Sequence, residues 1–255
     1  MQVIKNMSLK LPKVIGHRGA AGYAPENTIE GIHTAADIGT KWVELDVKLT
    51  KDEVPIIFHD DELERTTNGH GLVAETTYEE IKQFEAGSWF SEGFIGIKIP
   101  TLEEAIEALI NRDLGLNLEI KPCPGREKDT AEIALDVLSH YWDNHDGLLI
   151  SSFEHVSLEA ALDVAADWSR GLLLGGDTIS ENWLELADYL HVKTINFGTQ
   201  LVTPEIIATT IEQDYIPLVY TVNDPHLARE YQSMGVKTVF SDEPDLIEEN
   251  MLSVH

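Results

Sequence analysis

Eight times along the chain, a short run of aliphatic and β-branched residues gives way to a longer helical pattern. The runs are KVIGH (13–17), WVELDV (42–47), LNLEIK (116–121), GLLISS (147–152), GLLLG (171–175), VKTINF (192–197), PLVYTV (217–222) and KTVFSD (237–242). Helices are predicted near 28–39, 101–112, 128–142, 156–167, 181–188, 204–213 and 225–234, with a last one after Pro244. Their starts carry fitting signals. Asn27 precedes Glu30 at capping-box spacing, and Pro204 and Pro225 sit where first-turn prolines belong. Strands that alternate strictly with helices read as βαβ units and hence as a parallel sheet. Eight units in 255 residues predict an α/β protein, a (β/α)8 TIM barrel, as a single domain over 1–255. An open doubly wound sheet is the alternative. It usually has fewer strands, and GHRGAAG after the first run lacks the G-x-G-x-x-G spacing of a dinucleotide site.

One stretch breaks the rhythm. Residues 48–100 separate the second strand from the helix at 101. They open with LTKDEVPIIFHDD, which reads as a turn at Lys51–Asp52 and a returning strand at 54–59, and a short helix is predicted near 77–84. A connection this long in a compact domain is usually functional or a small subdomain. The expected architecture is therefore a TIM barrel with a small insertion between strand 2 and the following helix, lying over the C-terminal face. Trp89, Phe90 and Phe94 are expected in the core of that insertion, with one of them facing the leaving group as the alternative.

Barrel enzymes carry their reacting groups at the C-terminal ends of the strands. Those ends hold His17 and Arg18, Glu44 and Asp46, Glu119 and Lys121, then Ser152, Asn196, Asn223 and Asp242. Residues two apart on a strand share a face, so Glu44 pairs with Asp46 and Glu119 with Lys121. Bare carboxylates in a barrel interior are too costly unless they are paired or bind a cation. Three of them make an oxygen-rich set of the kind Mg²⁺ or Ca²⁺ prefers. A hairpin turning near 52 would bring His59 back opposite Asp46. Two histidines, two cations and a metal form a consistent set for cleaving an anionic ester.

The charge balance sharpens this. With 18 basic and 45 acidic residues, a net charge of -27 argues against nucleic acid or an anionic membrane as partner. Attraction for an anionic substrate must then be local. Cys123 is the only cysteine, so no intrachain disulfide forms; it is expected near the mouth, with no histidine arranged to make it a nucleophile. MQVIKNMSLKLPKV has no apolar run long enough for a signal peptide, and no segment approaches the roughly 20 apolar residues of a membrane span. The expectation is a cytoplasmic protein without stable membrane association.

In order and at these spacings, GHRG…PENT, ELDV, FHDD.L.RTT.G.G, AGSWF, IPTLEEA, LEIKP, YTVNDP and FSDEP resemble the glycerophosphodiester phosphodiesterase family. The likeness is strongest to its compact single-domain bacterial members, and it runs from about residue 13 to 247. The resemblance implies hydrolysis of glycerophosphodiesters, such as glycerophosphocholine, to glycerol 3-phosphate and an alcohol, with one divalent cation, Mg²⁺ or Ca²⁺. Carried over by motif, His17 and His59 are the acid–base pair, Glu44, Asp46 and Glu119 the metal ligands, and Arg18 and Lys121 phosphate contacts. Tyr220, also expected at the substrate, stands where many members have tryptophan, and Glu53 replaces a frequent turn glycine. GVKTVFSD lacks a glycine often seen before the last strand. Water and the glycerol 2-hydroxyl are both open as nucleophile. A lysophospholipase D-like or phosphoinositide-type phosphodiesterase on the same barrel is the alternative activity; it would want a broad apolar approach or a membrane anchor.

Overall fold

The structure, a computed structural model, describes residues 9–252; residues 1–8, on which part of the signal-peptide reading falls, and 253–255 lie outside the described residues. Among the described residues the strands are β1 (Val14–Gly16), β2 (Trp42–Leu49), β3 (Pro55–Ile57), β4 (Gly115–Ile120), β5 (Leu148–Ser152), β6 (Arg170–Leu174), β7 (Thr194–Gly198), β8 (Ile216–Tyr220) and β9 (Thr238–Ser241). The helices are α1 (Ile29–Asp37), α2 (Tyr78–Ile81), α3 (Leu102–Asn111), α4 (Glu127–Tyr141), α5 (His155–Val164), α6 (Trp183–Tyr189), α7 (Pro204–Glu212), α8 (Pro225–Met234) and α9 (Pro244–Leu252). Every strand but β3 joins a parallel ring in the order β1-β9-β8-β7-β6-β5-β4-β2, which closes where Gly16 pairs with Val43 of β2. The fold is a TIM barrel.

Strand β2 shows how the sequence positions the site. All eight of its residues are buried, so two chemically different faces must be accommodated. Val43, Leu45 and Val47 pack outward with Leu102, Ile106, Leu109 and Leu135 of α3 and α4. The other face begins with Trp42, which joins Ile15, Leu149, Leu218 and Phe240 in an apolar floor inside the barrel. Gly115 makes room for it, since a Cβ there would lie 2.4 Å from the indole. Above that floor, two-residue periodicity brings Glu44, Asp46 and Lys48 onto the inner face in turn.

Between β2 and α3 the chain forms β3, α2 and several turns around a separate apolar cluster that includes Ile56, Phe58, Leu63, Val73, Ile81 and Ile99. Cys123 belongs to this cluster at 2% exposure, just behind Pro122 of the cleft wall. Burial raises the pKa of its thiol. Trp89, Phe90 and Phe94 lie outside the cluster. They stack edge to face on one another, with Trp89 39% exposed, so the expectation that they form the insertion's core fails. The hairpin register also differs from the expectation. Thr50 and Val54 close a loop of three residues, with Glu53 left-handed at φ 64°. That odd count pairs Val47 with Ile57 and sets Phe58 N–H on the Asp46 carbonyl, so His59 falls one residue past the expected partner.

Helix α1 corrects a second expectation. Its cap is Thr28, whose Oγ1 accepts from Gly31 N at 3.0 Å. Asn27 is thereby released for another role. Among the described residues, no helix is long and apolar enough to cross a membrane.

At the opposite end of the barrel from the strand C-termini, Arg170 opens β6 with only 3% exposure. It donates to the carbonyls of Leu190, Ala165, Ala166, Trp168 and His191. These are chain ends left open after α5 and α6, which a guanidinium can satisfy together. Burial still lowers its pKa, to about 10. Arg170→Ala is expected to cost about 3 kcal/mol, or roughly 6–12 °C in Tm. Thermal unfolding checks this, with kcat/KM retained below the transition because the strand C-termini are untouched.

Candidate active site

The turn after β1 is built onto β2. Arg18 N donates to Glu44 Oε2 at 2.9 Å, and Gly19 N to the Glu44 carbonyl at 3.2 Å. Arg18 is left-handed at φ 50°, a conformation that strains a residue with a side chain. Gly19, at φ 93°, has no alternative: a Cβ would meet the Gly31 backbone at 2.8 Å. The result places the Arg18 side chain inside the mouth. Its Nη1 donates to Glu26 Oε1 at 2.7 Å. Its Nε lies 3.4 Å from Asp46 Oδ2 and has no hydrogen-bond partner among the described residues.

Glu44, Asp46 and Glu119 converge as the sequence predicted. In-register pairing of β2 with β4 sets Asp46 beside Glu119. One carboxylate oxygen from each lies within 4.8 Å of the others. All three are buried. Asn27, also left-handed at φ 56°, donates its amide to Asp46 Oδ2 at 2.8 Å and accepts from Asp46 N at 3.2 Å. Lys121 Nζ donates to Glu119 Oε1 at 2.9 Å and lies 5.2 Å from the Phe153 ring centre.

Like charges held this close separate in their protonation. Burial first, then Asp46 and Glu119, hold Glu44 well above the usual carboxylate range. Burial and Asp46 raise Glu119 to about 7. Burial works to raise Asp46 too, but Arg18, His59, Lys121 and the Asn27 amide outweigh it and hold it low. Glu44 Oε1 is buried without a hydrogen-bond partner among the described residues. An oxygen-only donor set, one oxygen unspent, and the burial and like charge that raise Glu44 and Glu119 all fit a hard divalent cation.

The histidines flank this group. His17 Nδ1 lies 2.7 Å from Asp242 Oδ1, and Asp242 is held by Asn223 Nδ2 at 2.6 Å. His59 Nδ1 lies 2.5 Å from Asp60 Oδ1. Since each carboxylate accepts, each imidazole carries its proton on Nδ1 and leaves Nε2 free. Burial lowers the His59 pKa, with the Arg18 and Lys121 cations adding to this and Asp46 opposing it. Asp60 is held far below its usual range by Arg65, whose hydrogen bonds outweigh burial. His70 stays apart, its side chain 87% exposed. Tyr220 sits at the mouth, but its hydroxyl donates to the Leu174 carbonyl at 2.8 Å and its ring meets Phe153 edge to face. A cleft of about 580 Å³ runs past His59, Lys121, Lys48 and Phe153. Lys48, 1% exposed, spans to Asp61 at 2.7 Å.

Five contributors were not singled out from sequence: Glu26, Asn27, Asp60, Arg65 and the pairing of Asp242 with His17. One signal was available for Asn27. Two cap-forming residues in series, Asn27 and Thr28, leave one without a capping job. Because burial and Asp46 raise Glu119 to about 7 and Glu44 is raised as well, protons compete with a bound cation. Divalent-cation affinity is expected to fall at least about fivefold from pH 7 to pH 6, as calorimetry would read.

The chain matches the model of the Glycerophosphoryl diester phosphodiesterase family over residues 17–246. It is 34% identical over 242 residues to a glycerophosphodiester phosphodiesterase of Caldanaerobacter subterraneus subsp. tengcongensis, covering 92% of this chain and 95% of that one. A solved phosphodiesterase of Oleispira antarctica, in complex with the product sn-glycerol-3-phosphate, superposes with a TM-score of 0.92 at 39% identity, covering 95% and 98% of the two chains. A glycerophosphodiester phosphodiesterase structure from Agrobacterium tumefaciens gives a TM-score of 0.77 at 28% identity, covering 94% and 100%. Fold, converging carboxylates and comparisons agree, and the chain belongs to the glycerophosphoryl diester phosphodiesterase family.

Proposed function

We propose that the protein hydrolyses glycerophosphodiesters, such as glycerophosphocholine and glycerophosphoethanolamine, to sn-glycerol 3-phosphate and an alcohol. One divalent cation, Mg²⁺ or Ca²⁺, is held by Glu44, Asp46 and Glu119. The observation that carries this reading is the pair of imidazoles, each tied through Nδ1 to a carboxylate, on either side of a buried carboxylate triad. The product bound by the Oleispira relative supports the substrate class.

Bound there, the cation supplies charge neutralisation and Lewis acidity at the phosphate. The remaining work belongs to side chains. His59, whose pKa burial lowers, presents the Nε2 lone pair and takes the proton of the attacking hydroxyl. A P–O bond forms to that oxygen and the P–O bond to the alcohol breaks. His17 returns a proton to the departing oxygen, its ring oriented by the Nδ1 contact with Asp242. Where the attacking oxygen is the glycerol 2-hydroxyl rather than water, water then opens the resulting cyclic phosphate to glycerol 3-phosphate, with His17 taking its proton and His59 returning one to the 2-oxygen. Arg18 and Lys121 balance charge on the non-bridging oxygens. Tyr220, with its hydroxyl committed to Leu174, acts as an aromatic wall together with Phe153. Residues 48–100 serve as a small subdomain over the C-terminal face of a single catalytic unit.

Glycerol 3-phosphate release from glycerophosphocholine tests the reaction, and EDTA is expected to abolish it until Mg²⁺ or Ca²⁺ is restored. Activity indifferent to chelation would sink the metal assignment. His17→Ala and His59→Ala are each expected to lower kcat by about 10²- to 10⁴-fold. Asp242→Asn should lower kcat by up to about 10⁴-fold, because an amide N–H facing Nδ1 forces the wrong tautomer.

A further inference from the structure

Arg65 lies in the insertion, in a turn fixed by Leu63, which is fully buried, and by the Thr67 hydroxyl on the Leu63 carbonyl at 2.6 Å. Its guanidinium reaches across to the barrel. Nη1 and Nη2 donate to Glu26 Oε2 and Oε1, each at 2.8 Å. Nε and Nη2 donate to Asp60 Oδ2 and Oδ1 at 2.6 and 2.8 Å. Two bidentate forks thus use four of the five available donors. The two carboxylates lead to different parts of the site. Glu26 holds Arg18, and Asp60 holds His59.

We infer that Arg65 is a positioning residue that keeps the Arg18 guanidinium open toward phosphate and the His59 imidazole aimed at the reacting oxygen. The inference rests on the reaction proposed above. Its logic is competition for Glu26. That carboxylate is largely buried, with its side chain 10% exposed, so both oxygens must find donors. With Arg65 present, Oε2 is fully engaged by Arg65, and Arg18 is held through Nη1 alone. Remove Arg65, and the bare oxygen is satisfied most cheaply by a second bond from Arg18, closing its fork on Glu26. Asp60 at the same time loses both bonds that fix its plane, and with them the orientation of His59. Lysine cannot substitute, because one ammonium does not span two carboxylates in plane.

Arg65→Ala and Arg65→Lys are each expected to lower kcat/KM about 10- to 100-fold, with Tm changed by only a few degrees. The Arg65 side chain is 44% exposed, so guanidinium ion at millimolar levels, far below denaturing ones, is expected to restore part of the Arg65→Ala activity and none of the wild type's. Glu26→Gln supplies the sharper sign. On the wild type it weakens inorganic-phosphate binding, read by calorimetry; on Arg65→Ala it strengthens it, because the competing carboxylate is gone. Wild-type kinetics in Arg65→Ala, a loss that only tracks Tm, or additive Glu26 and Arg65 effects on phosphate would each overturn the inference. Failure of the wild type to release glycerol 3-phosphate would overturn the reaction instead, while the phosphate arm, which needs no turnover, still decides about Arg65.

Discussion

Three carboxylates packed together on two adjacent parallel strands are the constraint that the rest of the site answers. At interior dielectric their mutual repulsion is severe. The register of β2 against β4 nonetheless forces Asp46 beside Glu119, with Glu44 one pleat below. The answers come from every direction. Arg18 arrives on a left-handed turn, Lys121 from the same face of β4, and Asn27 from the segment before α1. What they leave is one unpartnered oxygen and two raised carboxyls. The site is thus poised for an additional positive charge.

This local arrangement reconciles a net charge of -27 with an anionic substrate. Arg18, Lys121, Lys48 and Arg65 gather at one face, each on an acidic partner. Partnered cations still shape the field at short range, where desolvation strengthens it, while the protein's wider negative charge is screened beyond about 10 Å.

The barrel was legible because its signals are local and repeated. A buried strand reads as a short aliphatic run and an outer helix as an amphipathic one, and eight repetitions leave few alternatives. The catalytic-face residues were legible for a similar reason: strand ends are countable, and two-residue periodicity gives the facing. What escaped depended on contacts distant in sequence or on parity. Asp242 meets His17 across 225 positions, and Arg65 meets Glu26 across 39. Nothing near either residue announces the partner. Asn27 was misplaced because Thr28 competes for the same capping geometry. The exposure of Trp89 was misjudged because an aromatic residue in a small subdomain has no periodic strand or helix to assign its face.

The three-residue turn at Lys51–Glu53 has a consequence beyond the shape of a hairpin. It sets a parity. With an odd loop, Phe58 faces Asp46 and points into the apolar cluster, leaving His59 to emerge at the mouth. One residue more or fewer in that turn would exchange the two faces along the whole returning strand. An aromatic ring would then arrive at the mouth beside Lys121, and an imidazole would be buried in hydrocarbon. Length at this turn therefore acts as a phase selector, which makes single-residue insertions and deletions there far less tolerable than substitutions. Glu53, at φ 64°, accepts backbone strain in order to keep that phase.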